Sequence, residues 1–143
     1  MEIQLNPMSE AQQRGIQRAV ALIEANFTYS LNRKEMARAA GMSVSYFSKL
    51  FTQYLGLSPH QYLVRCRLRH ARKLLLTLEK ELSIVEVACE SGFADQAHFS
   101  LHFRRAYSVS PLAFRRTVSG GPEKVQTFNT ARASSFNPTC QIR

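Results

Sequence analysis

The chain carries the same pattern of residues twice. The two copies are offset by 51 residues in the first half of the pattern (92 − 41 = 51) and by 52 in the second half of the pattern (99 − 47 = 52). A repeat of this kind shows that one supersecondary unit is used more than once. The first halves are Asn32-x-x-Glu35-Met36-Ala37-x-x-x-Gly41 and Ser83-x-x-Glu86-Val87-Ala88-x-x-x-Gly92. The second halves are Phe47-Ser48, Phe51, Leu57-Ser58-Pro59, Tyr62 and Phe99-Ser100, Phe103, Val109-Ser110-Pro111, Phe114.

Cap and turn residues predict that each copy folds as a helix, a tight turn and a second helix. Asn32 and Glu35 have the spacing of a capping box, in which each side chain hydrogen-bonds the backbone of the other at a helix start. Gly41 follows at a distance that suits the end of a short helix. Ser83 and Gly92 repeat the cap and the turn, so both copies have the same predicted architecture.

The whole chain is predicted to be all-α, with about seven helices and no convincing strand. An amphipathic helix from about Ser9 to Asn26 precedes the first copy, and a long helix opened by Pro59 joins the two copies. Residues 119–122, Ser-Gly-Gly-Pro, end the last helix. The predicted organisation is an extension over 1–8, a domain over 9–118 with helix-turn-helix units at about 32–55 and 83–107 and a linker helix at about 58–78, and a flexible tail over 119–143.

The charge of the chain favours a polyanionic partner. Lys and Arg total 19 against 10 Asp and Glu, which gives a net charge of +9 and a pI near 10.0. Nucleic acid and an acidic membrane surface both suit such a charge. No apolar run approaches the roughly 20 residues that span a bilayer, and residues 1–8 lack a signal pattern. We therefore expect a cytoplasmic protein with no membrane partner.

The second helix of each copy should bury one side and expose the other. In the first copy Phe47, Leu50, Phe51 and Leu55 recur at helical spacing and are predicted to face inward. Phe99 and Phe103 take the same role in the second copy. The predicted outward residues are Ser45, Ser48, Lys49, Thr52 and Gln53 in the first copy, and Gln96, Ala97, Ser100, Leu101 and Arg104 in the second.

These outward side chains have the chemistry that reads DNA bases in a major groove. Lys49 can donate to guanine N7 and O6, the serines suit either base pair, and Gln96 suits adenine. Ala97 or Leu101 can contact a thymine methyl group, and Arg104 suits a guanine or a phosphate. The alternative is that both surfaces are ordinary solvated helix faces, but the repeat together with the net charge favours DNA.

From about Ala11 to Thr117 the chain resembles the DNA-binding domain of the AraC/XylS family of bacterial transcription regulators. The resemblance is carried by "LNRKEMARAAGMSVSYFSKLFTQYLGLSPHQYLVRCRLRHARKLLL" and above all by "SIVEVACESGFADQAHFSLHFRRAYSVSPLAFRR". It implies two homeodomain-like helix-turn-helix units joined by a rigid helix, which read adjacent major-groove segments. It also implies that the base-facing residues are Ser45, Ser48, Lys49, Gln96, Ala97, Ser100 and Leu101.

Two positions depart from the family pattern. Family members often carry arginine or another polar residue at the place of Leu101, and small standalone members often carry a large aromatic residue at the place of Ser45. The base preference of relatives therefore does not transfer to this chain. There is no room before Ser9 for an N-terminal ligand-binding domain, so the chain resembles either the standalone type of family member or a domain excised from a longer protein.

Phosphate contacts are expected from residues at helix ends that flank the outward faces. The predicted set contains Tyr46, Gln61, His98 and Arg115, which match backbone-contact positions of the family, and Arg104, which suits a phosphate as well as a guanine. The arginines of the long helix cannot all face DNA, because successive helical residues turn through about 100°. Backbone amides at the helix starts near Asn32 and Ser83 are predicted to add donors.

Other chemistries find little support in the sequence. His98 and His102 are four residues apart, a spacing that can bind a metal, but the sequence places no third ligand near them. Ser100 beside His98 lacks the strained turn and orienting carboxylate of a nucleophile. There is neither a Gly-rich phosphate loop nor a CxxC pair. We expect no enzyme activity, no cofactor and no metal.

The sequence therefore predicts a DNA-binding transcription regulator. The family resemblance implies an activator that recruits RNA polymerase and works in the cytoplasm at the nucleoid. Two reading units in one chain predict a monomer on DNA. The alternative is a protein-binding modulator that antagonises or assists a larger regulator or RNA polymerase, since Ala97 and Leu101 give the second outward face an apolar patch.

Overall fold

The computed structural model describes residues 7–77 and 82–119, with side chains for 7–77 and 82–118. Within these ranges the chain forms seven α-helices and no strand, which confirms the all-α prediction. The helices are α1 Glu10–Asn26, α2 Arg33–Ala40, α3 Val44–Leu55, α4 Pro59–Leu76, α5 Ile84–Glu90, α6 Gln96–Tyr107 and α7 Pro111–Ser119. The predicted tail after Ser119 and most of the predicted N-terminal extension lie outside the described residues.

Both predicted capping boxes are present. The backbone amide of Glu35 donates to Asn32 Oδ1 over 2.9 Å, and the amide of Asn32 donates to Glu35 Oε2 over 2.8 Å. At α5 the corresponding distances between Ser83 and Glu86 are 3.1 and 2.6 Å. Hydrogen bonds from Ser83 hold the pKa of Glu86 below its usual value, so this cap is complete at neutral pH and weakens as the pH falls through that lowered pKa.

The first compact unit contains α1, α2, α3 and the start of α4 as far as Tyr62. Its core is aromatic: the rings of Phe47 and Phe51 are 5.4 Å apart, and those of Phe51 and Tyr62 are 5.7 Å apart, in both cases edge to face. The Tyr62 hydroxyl donates to Glu24 on α1 over 2.7 Å, so burial of this ring leaves its polar end satisfied.

Helix α1 packs closely against the turn that ends α2. A Cβ placed on Gly15 would lie 2.8 Å from the carbonyl oxygen of Ala40. The Arg18 guanidinium donates to the carbonyl oxygens of Ala39 and Ala40 over 3.1 and 3.3 Å. These bonds satisfy acceptors at the C-terminal end of α2 that have no partner within the helix.

The second compact unit contains residues 27–30, α4 from Leu63 onward, and α5, α6 and α7. Phe99, Phe103 and Phe114 are fully buried in its core. The Phe103 ring lies 5.6 Å from that of Phe99 and 5.5 Å from that of Phe114, in both cases edge to face. The aromatic stacking that holds α3 in the first unit therefore recurs around α6.

Residues 27–30 join α1 to α2 in sequence, yet they pack within the second unit. Arg67 on α4 donates to the carbonyl oxygens of Phe27 and Tyr29 over 2.7 and 3.0 Å. The Phe27 ring meets the imidazole of His70 edge to face at 5.4 Å. Burial lowers the pKa of His70, so this imidazole is neutral at pH 7 and packs as an aromatic ring.

Gly92, the turn glycine of the second copy, is held against the same segment. Its φ is 90°, and an added Cβ would lie 2.6 Å from the Phe27 carbonyl oxygen and 2.9 Å from Thr28 Cα. Gly56 also has a positive φ, 77°, but an added Cβ there would meet nothing within 4 Å. Gly92 is thus required both by its backbone conformation and by the lack of space.

These two glycines give a matched test of the packing. We expect Gly56→Ala to cost about 1 kcal/mol in free energy of unfolding, from left-handed strain alone. Gly92→Ala should cost about 2 kcal/mol more, because backbone atoms must move to admit the methyl group. Urea denaturation of both variants measures the difference, and equal losses would show that residues 27–30 do not press on Gly92.

Candidate nucleic-acid interface

Helices α3 and α6 occupy equivalent places in the two copies. Each has 12 residues, follows a turn with a left-handed glycine and begins at a polar cap. The Ser43 side chain accepts a hydrogen bond from the Tyr46 amide over 3.3 Å, and Asp95 Oδ1 accepts one from the His98 amide over 2.7 Å. Both helix starts are therefore fixed by a side-chain cap, so their rotational positions can be compared residue by residue.

The apolar side of each helix is buried as the sequence predicted, except that Leu55 at the end of α3 is only half-buried. Phe47, Phe51, Phe99 and Phe103 have no exposed surface, and Leu50 is 8% exposed. In both copies two phenylalanines four residues apart anchor the helix to its core. This anchoring determines which residues of each helix face away from the protein.

The outward face of α3 is formed by Ser45, Lys49, Thr52 and Gln53, all exposed. Ser48 differs from the fully outward position predicted for it. It is half-buried, and its hydroxyl oxygen is shielded from solvent without a hydrogen-bond partner among the described residues. The reason is geometric: Ser48 precedes the anchor Phe51 by three residues, which places it about 60° away around the helix, at the edge of the buried side.

The outward face of α6 follows the same plan with different side chains. Gln96, Ala97 and Arg104 are exposed, and Leu101 has 46% of its surface exposed. Ser100 is half-buried, as is Ser48 at the equivalent place. The second face is therefore more apolar near its centre than the first, and it has a guanidinium towards its C-terminal end.

The predicted phosphate contacts of the first unit lie beside α3 and at the start of α4. Tyr46 has 44% of its surface exposed, and its hydroxyl accepts a hydrogen bond from the side-chain amide of Gln12 on α1. Gln61 is exposed, and its Oε1 accepts a hydrogen bond from the Ser58 amide over 2.9 Å. Both side chains are thus fixed by neighbours, and both reach the surface.

The predicted phosphate contacts of the second unit are two exposed residues of α6, His98 and Arg104, and Arg115 on α7. Arg115 is half-buried. The imidazoles of His98 and His102 meet edge to face, with ring centroids 4.9 Å apart. Within residues 7–77 and 82–118, no group of three or more His, Cys, Asp and Glu side chains is arranged to hold a metal ion.

Two arginines of α4 serve the structure. Arg67 holds residues 27–30 as described above, and the guanidinium of Arg72 lies over the Tyr107 ring at 5.8 Å from its centroid. Burial raises the pKa of Tyr107, so its ring stays neutral under the cation. Some of the positive charge of the linker helix is therefore committed inside the second unit, as the helical spacing of its arginines implied.

The capping boxes limit what the starts of α2 and α5 can offer to an anion. The cap amides of Asn32 and Ser83 already donate to Glu35 and Glu86. Amide donation to a phosphate at these two places is left to the next residues of each helix.

As for membranes, none of the helices in the described ranges has both the length and the apolar composition needed to cross a bilayer.

Comparison with known proteins gives a family match that covers both helix-turn-helix units from within α2 onward. The model of a family described as a helix-turn-helix domain matches residues 36–117. The transcriptional regulator ArgR of Pseudomonas aeruginosa is 34% identical over 110 residues, which are 77% of this chain and 33% of that protein. The virulence regulon transcriptional activator VirF of Yersinia enterocolitica is 32% identical over 101 residues, 71% of this chain and 36% of that protein. The chain thus spans about a third of the length of these relatives.

Solved structures with the same fold include DNA-binding domains. The DNA-binding domain of AdpA, a global transcriptional factor crystallised with a target DNA, superposes with a TM-score of 0.69 at 28% identity over 74% of this chain and 94% of that one. An AraC-type regulator of Chromobacterium violaceum has a TM-score of 0.67 at 32% identity over 80% of this chain and 100% of that one.

The cap of α6 can be tested separately from any ligand. Asp95→Ala removes the acceptor for the His98 amide and should lower the free energy of unfolding by about 1 kcal/mol. Asp95→Asn keeps an oxygen acceptor and should cost only a few tenths of a kcal/mol, because asparagine caps helices about as well as aspartate. Thermal and urea denaturation measure both values. If the two variants lost equal stability, the carboxylate charge rather than the hydrogen bond would hold the helix start.

Proposed function

Because this chain belongs to the AraC-type family of helix-turn-helix domains, we propose that it binds double-stranded DNA at specific sequences and regulates transcription. In this proposal residues 9–118 are the DNA-binding domain. Its two helix-turn-helix units, at about 32–55 and 83–107, read two adjacent major-groove segments, each with its second helix. Neither role involves a cofactor or a catalytic step.

The observation that carries the proposal is the equivalence of α3 and α6. Two helices of equal length are capped, anchored by phenylalanines and exposed in the same way. A solvated surface has no need for such a repeated arrangement, whereas two successive segments of one duplex present the same groove twice. The net charge of +9 is the sign that a phosphate backbone attracts.

Base reading is assigned to the outward faces. Lys49 on α3 suits guanine, Gln96 on α6 suits adenine, and Ala97 and Leu101 suit thymine methyl groups. The remaining assigned residues are the serines Ser45, Ser48 and Ser100. Ser45 is exposed, while Ser48 and Ser100 are half-buried and would have to read a base from the edge of each face.

Phosphate contacts are assigned to residues that surround these faces. The set is Tyr46, Gln61, His98, Arg104 and Arg115. Four of them are exposed and Arg115 is half-buried. Such contacts fix the register of a protein on DNA without specifying sequence. The AdpA domain, crystallised with a target DNA, supports the use of this fold on a duplex.

We further propose that the protein activates transcription by contacting RNA polymerase and binds DNA as a monomer in the bacterial cytoplasm, at the nucleoid. The name of VirF, a transcriptional activator of similar sequence, supports activation. Two reading helices within one chain let a monomer cover two segments, so no dimer is required for that purpose. Transcription of a target promoter with purified polymerase measures activation, and sedimentation of the protein–DNA complex measures stoichiometry.

A second candidate function rests on Leu101. This side chain is 46% exposed on the face of α6 beside Ala97, and an exposed apolar patch suits a protein partner. In this alternative the chain binds a larger regulator or RNA polymerase and modulates it without reading DNA. The experiments below separate the two functions.

Footprinting on a duplex selected from random sequences tests DNA reading directly. We expect two protected segments about one helical turn apart, because α3 and α6 enter neighbouring stretches of major groove. The logarithm of the binding constant should fall linearly with the logarithm of salt concentration, with a slope of about −1 for each phosphate neutralised. Capture of a protein partner with no protected DNA would favour the modulator and refute the proposed function.

Truncation of Lys49 tests base reading within that interface. Lys49→Ala should weaken binding to the preferred site by roughly 1 to 3 kcal/mol and relax one base position. Lys73→Ala removes the same charge from an exposed position of α4 and should leave base preference unchanged. Repeated selection with each variant measures the preference. If Lys49→Ala changed neither affinity nor preference, the assignment of Lys49 to base reading would be wrong.

A further inference from the structure

We propose that Thr52 is an additional specificity-determining residue and that it presents its methyl group to a thymine in the segment read by α3. The inference rests on the proposed function, since it assumes that α3 lies in a major groove. It adds to that function a residue outside the base-facing set that the family resemblance implies, and it names the base that this residue selects.

Thr52 lies on the outward face of α3. Ser45, Lys49 and Thr52 are spaced by four and three residues, so they form one ridge along the helix, and all three are exposed. Around the helix axis, Thr52 lies about 140° from the anchor Phe47 and about 100° from the anchor Phe51. Thr52 therefore lies closer to the middle of the outward face than Ser48 does.

The Thr52 hydroxyl makes a hydrogen bond within α3. Its Oγ1 donates to the backbone carbonyl oxygen of Ser48 over 2.8 Å, which uses the one hydrogen that a hydroxyl can donate. The side chain then has no donor left for guanine N7 or O6, or for thymine O4. What remains is a methyl group and an oxygen that can accept. Because thymine is the base with a methyl group in the major groove, an apolar contact there selects thymine.

The second copy supports this interpretation of the face. Ser100, which corresponds to Ser48, is also half-buried, and Arg104, which corresponds to Thr52 (104 − 52 = 52), is also exposed. In both copies the ridge residue is thus the accessible one and the serine lies at the edge. The two units share a geometry but differ in chemistry at this place, so the base selected by Thr52 should have no equivalent in the second segment.

The distance along α3 predicts where the thymine lies. Thr52 follows Lys49 by three residues, or about 4.5 Å along the helix axis. Base pairs are stacked about 3.4 Å apart. The thymine should therefore lie within about two base pairs of the position that Lys49→Ala relaxes, which identifies it in a selected sequence without a structure of the complex.

Replacement of that thymine by deoxyuridine tests the contact, because it removes the methyl group and leaves base pairing intact. Dissociation constants are measured for both duplexes with the wild type, Thr52→Val, which keeps a methyl group and loses the hydroxyl, and Thr52→Ser, which does the reverse. Deoxyuridine should weaken binding about fourfold for the wild type and Thr52→Val, the factor that corresponds to burial of one methyl group. It should leave Thr52→Ser unchanged.

Two further variants guard against indirect effects. Thr52→Ala lacks both groups and should behave as Thr52→Ser does. Gln53→Ala truncates an exposed neighbour on the same helix that is assigned neither to a base nor to a phosphate, and it should respond to deoxyuridine as the wild type does. Thermal unfolding and the salt dependence of binding to an unrelated duplex show whether each variant is folded and still grips the phosphate backbone.

Three results would overturn the role of Thr52. The first is the absence of a thymine preference within the predicted two base pairs. The second is an equal effect of deoxyuridine on all variants. The third, measured by repeated selection, is loss of the base preference at that position in Thr52→Val with its retention in Thr52→Ser. The last result would mean that Oγ1 accepts from a base amino group. If the wild type bound no sequence selectively, the proposed function itself would fail, and this outcome is distinct from the other three.

Discussion

The burial of two phenylalanines four residues apart determines the orientation of each candidate reading helix. Phe47 and Phe51 fix the rotation of α3, and Phe99 and Phe103 fix that of α6. With one side of a helix held in a core, the directions of its remaining side chains follow from helical geometry. The composition of the outward faces is therefore a consequence of apolar packing rather than of polar contacts at the surface. Polar residues on those faces are free to vary without loss of the fold.

The two outward faces illustrate this freedom. Their frameworks are the same, but α3 presents Ser45, Lys49 and Thr52 where α6 presents Ala97, Leu101 and Arg104. A ridge with a lysine between two hydroxyl residues in one unit thus corresponds to a largely apolar ridge ending in an arginine in the other. If both helices read DNA, the two segments should differ in sequence, and the protein should bind its site in one orientation only.

Local sequence signals predicted the helices and much of the candidate interface. Asn32 with Glu35 and Ser83 with Glu86 predicted two helix starts, because a capping box depends on residues three apart in sequence. The phenylalanine spacing predicted the buried sides of α3 and α6. The family resemblance supplied the proposed base-facing positions on those two helices. These predictions needed no knowledge of tertiary packing.

Contacts between distant residues were not predictable in this way. In the sequence, Arg67 is one more cation in a basic helix. In the structure, its side chain donates hydrogen bonds to the carbonyl oxygens of Phe27 and Tyr29. Ser48 reads as an outward residue, and the structure shields its hydroxyl. In the first case no periodicity connects positions 40 residues apart. In the second, Ser48 lies about 60° from Phe51, at the boundary of the helix face, where helical spacing alone does not separate exposed from buried residues.

The membership of residues 27–30 in the second unit has a consequence for how the protein can be divided. A fragment that starts at Leu63 keeps the whole second repeat but lacks the carbonyl oxygens that accept from Arg67 and the backbone that covers Gly92. A fragment that ends at Tyr62 carries those four residues without the Arg67 side chain that donates to them. No single cut yields two self-sufficient halves, so we expect the second repeat to keep its full stability only in a chain that also contains residues 27–30.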